Sequence, residues 1–134
     1  LEDDLVTSSH FLKYMNEALD FYKDEEQVMS VSGFSYLKKI PKNYNKDVFI
    51  FYRPCSWGWA IWKHEWKLID FNITQSHEIF SNISLQNNFN RGGNDLFDML
   101  KMQMDGVINS WGIRFALSHS LHNKKASPNV ISFQ

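Results

Sequence analysis

Pro54-Cys55-Ser56-Trp57-Gly58-Trp59-Ala60-Ile61-Trp62-Lys63-His64-Glu65-Trp66-Lys67-Leu68-Ile69-Asp70 holds four of the 5 tryptophans of the chain within ten residues. An indole offers a large apolar face and a single N–H donor. Asp70 stands in an apolar frame, Leu68-Ile69-Asp70-Phe71, that draws a carboxylate inward, where it needs donors. Large rings with a polar edge beside one inward acid are the usual lining of a small-molecule pocket. Asp70 has a second use, as the cap of a helical turn over Phe71 to Thr74. Read as a helix, the segment puts Trp57 and Ile61 on one face and Trp59, Trp62 and Trp66 on another. That second stripe is either core or, if exposed, a protein contact.

Other reactive residues carry less. His119 and His122, three apart on an expected strand, point to opposite faces and do not share a metal. His64-Glu65 lacks the second histidine of a metalloprotease motif. Cys55 has no motif-level His or Asn partner and reads as a small buried residue. Gly92-Gly93 lacks the trailing Lys-Ser/Thr of a phosphate loop. Arg53 is either a solvated side chain or a donor to a polar ligand group. Ser118 is either a satisfied strand residue or a ligand hydroxyl. A small enzyme with Asp70 as base lacks an identifiable second catalytic group.

The elements that position these residues follow from periodicity. Residues 8 to 23 predict a helix, with Ser8 or Ser9 as cap and Phe11, Leu12, Met15, Ala18, Leu19 and Tyr22 at helical spacing. Residues 28 to 40 predict a strand, the Pro41 to Asn45 stretch a turn, and the apolar run Val48 to Tyr52 a buried strand paired antiparallel to the first. Residues 57 to 67 predict a helix and residues 86 to 93 a polar loop. Asn94 would cap a helix striped by Leu96, Phe97, Leu100, Met104, Val107, Ile108 and Trp111, which Gly112 stops. Phe115 to Leu121 and Val130 to Phe133 predict strands flanking a turn at Asn123 to Pro128. This order predicts an α+β protein: an α/β/α sandwich whose central antiparallel sheet of about five strands is covered by helices.

With 134 residues the chain fits one domain and needs no staples. A formal net charge of -1 removes the global basic field that holds phosphates, so the chain itself is not expected to bind nucleic acid. One cysteine excludes an internal disulfide and suits a cytoplasmic compartment. No apolar run approaches the roughly 18 residues of a membrane helix, so no membrane partner is expected. The chain opens on Leu1, which points to an excised domain.

Several pieces, in this order, resemble the autoinducer-binding domain of LuxR-type quorum-sensing regulators. Gly33-Phe34-Ser35-Tyr36 followed by Pro41 looks like its first strand. Pro54, Trp57 and, thirteen residues on, Asp70 look like its central ligand motif. Trp111-Gly112-Ile113-Arg114-Phe115-Ala116-Leu117-Ser118, followed by Leu121-His122, resembles its late strand, and Val130-Ile131-Ser132-Phe133 its last. The resemblance implies that the Trp57 indole donates to a lactone carbonyl, Asp70 accepts from an acyl-homoserine lactone amide, and Ser118 orders the acyl carbonyl or a water. The chain departs from the family at Ile61 and Arg53, with Tyr52 adjacent, where tyrosines are usual. It departs again at Phe71, where proline follows the acid, and at Asn82, the nearest equivalent of a second tryptophan.

The expected function is therefore that of a bacterial sensor, without cofactor or metal. It would bind an amphiphilic signal (an acyl-homoserine lactone or a divergent ligand) and form a homodimer, with DNA reached only through a helix-turn-helix domain after Gln134. The alternative is a ligand-free interaction or dimerisation module, such as an anti-activator, that kept the fold and lost the pocket.

Overall fold

A computed structural model describes residues 4–35, 42–46 and 48–128. Helix α1, Phe11–Phe21, forms within the expected span, but it starts after His10 and neither Ser8 nor Ser9 caps it. It turns Met15 and Ala18 onto Val31, with Phe11, Tyr14, Leu19, Tyr22, Ala60 and Trp62 packed around them. Val31 lies in strand β1, Val28–Ser32, which is buried along its whole length. A strand buried on both faces shows no polar alternation to solvent, so its serines must find partners inside. Ser30 Oγ meets His119 Nε2 at 2.8 Å, and Ser32 Oγ accepts from the Cys55 N–H at 3.3 Å.

Strand β2, Trp59–Ile61, pairs antiparallel to β1, with Val31 opposite Ala60. Strand β3, Lys125–Pro128, pairs parallel to β1, with Ser30 opposite Ala126 and an irregular register between Val28 and Ser30. The sheet among the described residues is thus three-stranded and mixed, in the order β2-β1-β3. The expected antiparallel sheet of about five strands is corrected: this is a small mixed sheet surrounded by helices.

Three local choices explain the difference. Phe115 to Leu121, expected as a strand, belongs to helix α6, Trp111–Leu121. The Ser110 side chain caps it by accepting from the Ile113 N–H at 3.4 Å, and Ile113 and every residue from Phe115 to His119 are buried. A helix buried nearly all round loses the amphipathic period that would identify it. Residues 57 to 67, expected as one helix, split into β2 and the single turn α2, Lys63–Trp66. Gly58 has φ 65°, Trp62 is extended, and pairing with β1 takes the residues between them. The Val48 to Tyr52 run contributes one bridge, Phe51 to Ala126, closed by hydrogen bonds of 2.8 and 2.9 Å.

The remaining helices are α3, Ser76–Ser81, α4, Ile83–Phe89, and α5, Leu96–Met104, with a 3-10 turn at Asn90–Gly92. Residues 86 to 93, expected as a loop, therefore belong mostly to α4 and that turn. α5 begins after Asp95, without a side-chain cap from Asn94, and ends well before Trp111. Ile73, Ile79, Phe89, Leu96, Leu100, Ile113, Ala116 and Leu117 form the larger core. The expected last strand, Val130 to Phe133, lies outside the described residues, as do Tyr36 and Pro41. Among the described residues no helix is long and apolar enough to cross a membrane.

Candidate ligand site

Asp70 ends the segment after α2, and its carboxylate is engaged by its own turn. Oδ1 accepts from the Asn72 N–H at 3.0 Å, and Oδ2 accepts from the Thr74 N–H and hydroxyl, both at 2.6 Å. Burial acts to raise its pKa. The bonds from the Thr74 hydroxyl and from the Thr74, Asn72 and Gln75 backbone outweigh it and hold the carboxyl below its ordinary range. Inside this turn Ile73 has φ 53°, a region that β-branched residues avoid, while its side chain is buried in the larger core. Asp70 thus clamps a strained turn around a core residue, the capping use that its sequence also allowed.

Ser118 lies one element away and does meet Asp70, through the backbone. Its Oγ accepts from the Asp70 N–H and donates to the Arg114 carbonyl, each at 3.1 Å. Two of the three residues that the resemblance singles out are therefore neighbours. Trp57, the third, is 45% exposed and packs on Phe34 with ring centroids 5.1 Å apart. Its backbone N–H donates to Cys55 Sγ at 3.4 Å.

The other predicted positions scatter. Ile61 pairs with Ser30 across the sheet. Tyr52 lies beneath the Arg91 guanidinium, 3.9 Å from its ring centre. Arg53 forms a salt bridge with Asp95 at 2.8 Å, which holds the Asp95 carboxyl below its ordinary range. Asn82 caps α4, its Oδ1 accepting from Ser84 and Leu85 N–H at 3.0 and 3.2 Å. Phe71 packs on Trp66 at 5.3 Å.

That last contact opens onto the feature that sequence reasoning missed. Trp66 stacks on Trp59, with centroids 5.9 Å apart and planes 15° from parallel. Trp59 in turn meets Trp111 at 5.3 Å and Phe115 at 4.8 Å. The rings form a continuous row from the Asp70 turn to α6. Its outer end is open, Trp66 being 43% and Phe71 36% exposed, and its inner end, Phe115, is buried. Phe115 also walls a cavity of about 130 Å³ whose other sides include Leu96, Met99, Ser56, Ser110 and Arg53. The lining is mixed, with Arg53, Ser56 and Ser110 beside Leu96, Met99 and Phe115. The signal existed in the sequence: Trp59 and Trp66 were visible, but Phe115 was assigned to a strand and Trp111 to the end of another helix.

His119 closes the inner side. Its ring packs on Phe115 at 4.4 Å, and its Nδ1 lies 2.8 Å from the Phe115 carbonyl. A carbonyl only accepts, so Nδ1 carries the proton and Nε2 accepts from the Ser30 hydroxyl. Burial is the main cause that pushes its pKa down to about 4, against the bond to Phe115 and with help from nearby His122 and Lys124. This histidine is a neutral structural clip between α6 and β1. No group of three His, Cys, Asp or Glu among the described residues is placed to hold a metal. No protein-family model, curated protein or solved structure matches the chain.

Proposed function

We propose that this domain is a non-catalytic receptor for a small amphiphilic molecule, the sensing and dimerising part of a LuxR-type regulator. The observation that carries this reading is the ring row from Phe71 through Trp66 and Trp59 to Trp111 and Phe115. It is open at one end and reaches a small cavity at the other. The ordered motifs of the sequence support this reading; the helix at Trp111–Leu121 and the small mixed sheet depart from what the resemblance implies. A volume near 130 Å³ matches a single small ring more closely than a long acyl chain. This volume argues for a compact ligand over the common acyl-homoserine lactones.

The first test is native mass spectrometry of the purified protein for co-purified molecules, followed by titration of any hit against tryptophan fluorescence. A saturable change that Trp66→Ala weakens supports the receptor. A hit whose binding ignores that substitution removes the row from the site.

A second reading, a ligand-free interaction module, has its own observation. Met102, Met104 and Val107 are large apolar side chains left exposed at the end of α5 and just beyond it. A stable dimer with no ligand found by mass spectrometry would favour it.

A further inference from the structure

A separate cleft of about 710 Å³ is bounded by residues 23–28, by Trp62 with α2, and by residues 122–124. Glu65 lies in its wall, only 5% exposed. Its Oε1 is held by the Lys124 ammonium and lies 3.4 Å from His64 Nε2. Its Oε2 is buried without a hydrogen-bond donor. A carboxylate oxygen can only accept, so what is missing is a donor. Such an orphan is rare in a buried position, and a donor reaching it from the cleft would satisfy it.

The rest of the lining states the charge of that partner. Asp24, Glu25 and Glu26 join Glu65, against Lys23 and Lys124, so four carboxylates face two lysines. Lys23 is paired with Asp20 at 3.0 Å and Lys124 with Glu65, so both ammonium groups are already engaged. An anion would meet excess negative charge here. A bare metal ion would find no group of three ligands among the described residues. Trp62, half-buried at the wall, stacks with His64 at 6.4 Å between ring centroids, so aromatic rings border the cleft.

We propose that this cleft binds a small organic cation, an ammonium or guanidinium, whose N–H groups donate to Glu65 while its body lies against Trp62. The terminal torsion of a glutamate is broad and two-fold, so a small rotation brings Oε2 to the ligand while Lys124 keeps its hold. The acidic rim of Asp24, Glu25 and Glu26 concentrates cations at the mouth. This site is independent of the aromatic row.

The test is calorimetry of the whole chain with putrescine, spermidine and agmatine, at low salt and again near physiological salt. One-to-one binding with Kd below about 1 mM is expected for at least one of them, and it should weaken about tenfold or more in Glu65→Gln. The rim variant Asp24→Asn/Glu25→Gln/Glu26→Gln changes only exposed side chains. It should keep the one-to-one stoichiometry, bind several-fold more weakly and lose most of the salt dependence. If Glu65→Gln does not fold, the rim variant decides. Absence of binding by all three cations, retention of full affinity in Glu65→Gln, or retention of full affinity and salt dependence in the rim variant overturns the proposal. Equal binding of inorganic phosphate would overturn it as well.

Discussion

Lowering the pH from 7 to about 4 should destabilise this domain through one residue, His119. In the folded chain its pKa is pushed down to about 4, chiefly by complete burial beneath α6 and β1. In the unfolded chain a histidine titrates near 6.5. Above that value both states are neutral at this ring and it contributes no pH dependence. Between about 6.5 and 4 the unfolded chain takes up a proton that the fold refuses, so stability falls as pH falls. The difference of roughly 2.5 units, at about 1.36 kcal/mol each, removes on the order of 3 kcal/mol by pH 4. Below that pH the loss from this group levels off. A domain of this size has about 5–15 kcal/mol in total, so the loss is a substantial share.

Urea unfolding, followed by tryptophan fluorescence at pH 7, 6, 5 and about 4.3, measures it directly. With m near 1.5 kcal/mol/M the midpoint should fall by about 2 M. The carboxyls of Asp70 and Asp95, held below their ordinary range, contribute their losses lower on the scale, so most of the window belongs to the histidine. His119→Gln, which keeps one donor and one acceptor, should cost stability at pH 7 and flatten the decline between 6.5 and 4. A midpoint that does not move between pH 7 and 4.3 would refute the reasoning, as would an undiminished slope in His119→Gln.

Other outcomes follow from the same contacts. Asp70→Ala removes all three bonds that hold the Ile73 turn and should cost about 1–2 kcal/mol in urea unfolding; an unchanged midpoint would show that the turn does not depend on the carboxylate. Asp70→Asn keeps one oxygen, which can still accept from both Thr74 groups but loses the Asn72 bond, and should fall between wild type and alanine. For a confirmed ligand of the ring row, Trp66→Ala with Phe71→Ala should weaken binding by about one to two decades, read by calorimetry. N-acyl homoserine lactones of common chain length should bind weakly or not at all, and submicromolar affinity would overturn the compact-ligand reading. Light scattering at low micromolar concentration should give a dimer; a mass near 15.8 kDa that ligand leaves unchanged would defeat that expectation.

The sequence was readable where one face of an element is wet. α1 and α5 show their apolar stripes because their other faces meet solvent. It misled where burial is nearly complete or where spacing is coincidental. In α6 only Arg114 and the terminal residues escape full burial, so no period of 3.6 survives to separate it from a strand. Trp59, Trp62 and Trp66 imitate a helix by spacing. Gly58 at positive φ and the partner strand decide otherwise. The Asn-rich stretch before Gly92 looked like a loop on composition, yet Asn82 caps it and Phe89 anchors it in the core. Of the candidate site, Ser118 is buried and meets Asp70, but through the Asp70 backbone, while the Asp70 carboxylate faces its own exposed turn rather than the interior the sequence suggests. Glu65 sat unmarked between Trp62 and Trp66, because nothing local says that Lys124 will take one of its oxygens and leave the other.

The polar groups inside this fold divide by whether they are satisfied, and that division separates structure from function. Ser30 with His119 ties β1 to α6, Ser118 ties α6 to the Asp70 turn, and Ser32 ties β1 to the segment at Cys55. Each bond joins elements far apart in sequence and replaces water that burial removed, so each serves to fix register. Removing one partner would leave the other buried and unpaired, at a cost of about 1–3 kcal/mol. Among the described residues two buried side-chain atoms lack partners, Arg114 Nε and Glu65 Oε2. Arg114 already spends its charge on Asn109 through another nitrogen at 2.9 Å and stays half-buried. Glu65 is different: its uncompensated atom is an acceptor beside a cleft large enough for a small molecule. The pair with Lys124 accounts for one oxygen, since losing the carboxylate would leave that ammonium uncompensated; it does not account for the other. The remaining oxygen is left for a second donor, which the cation proposed for the cleft would supply.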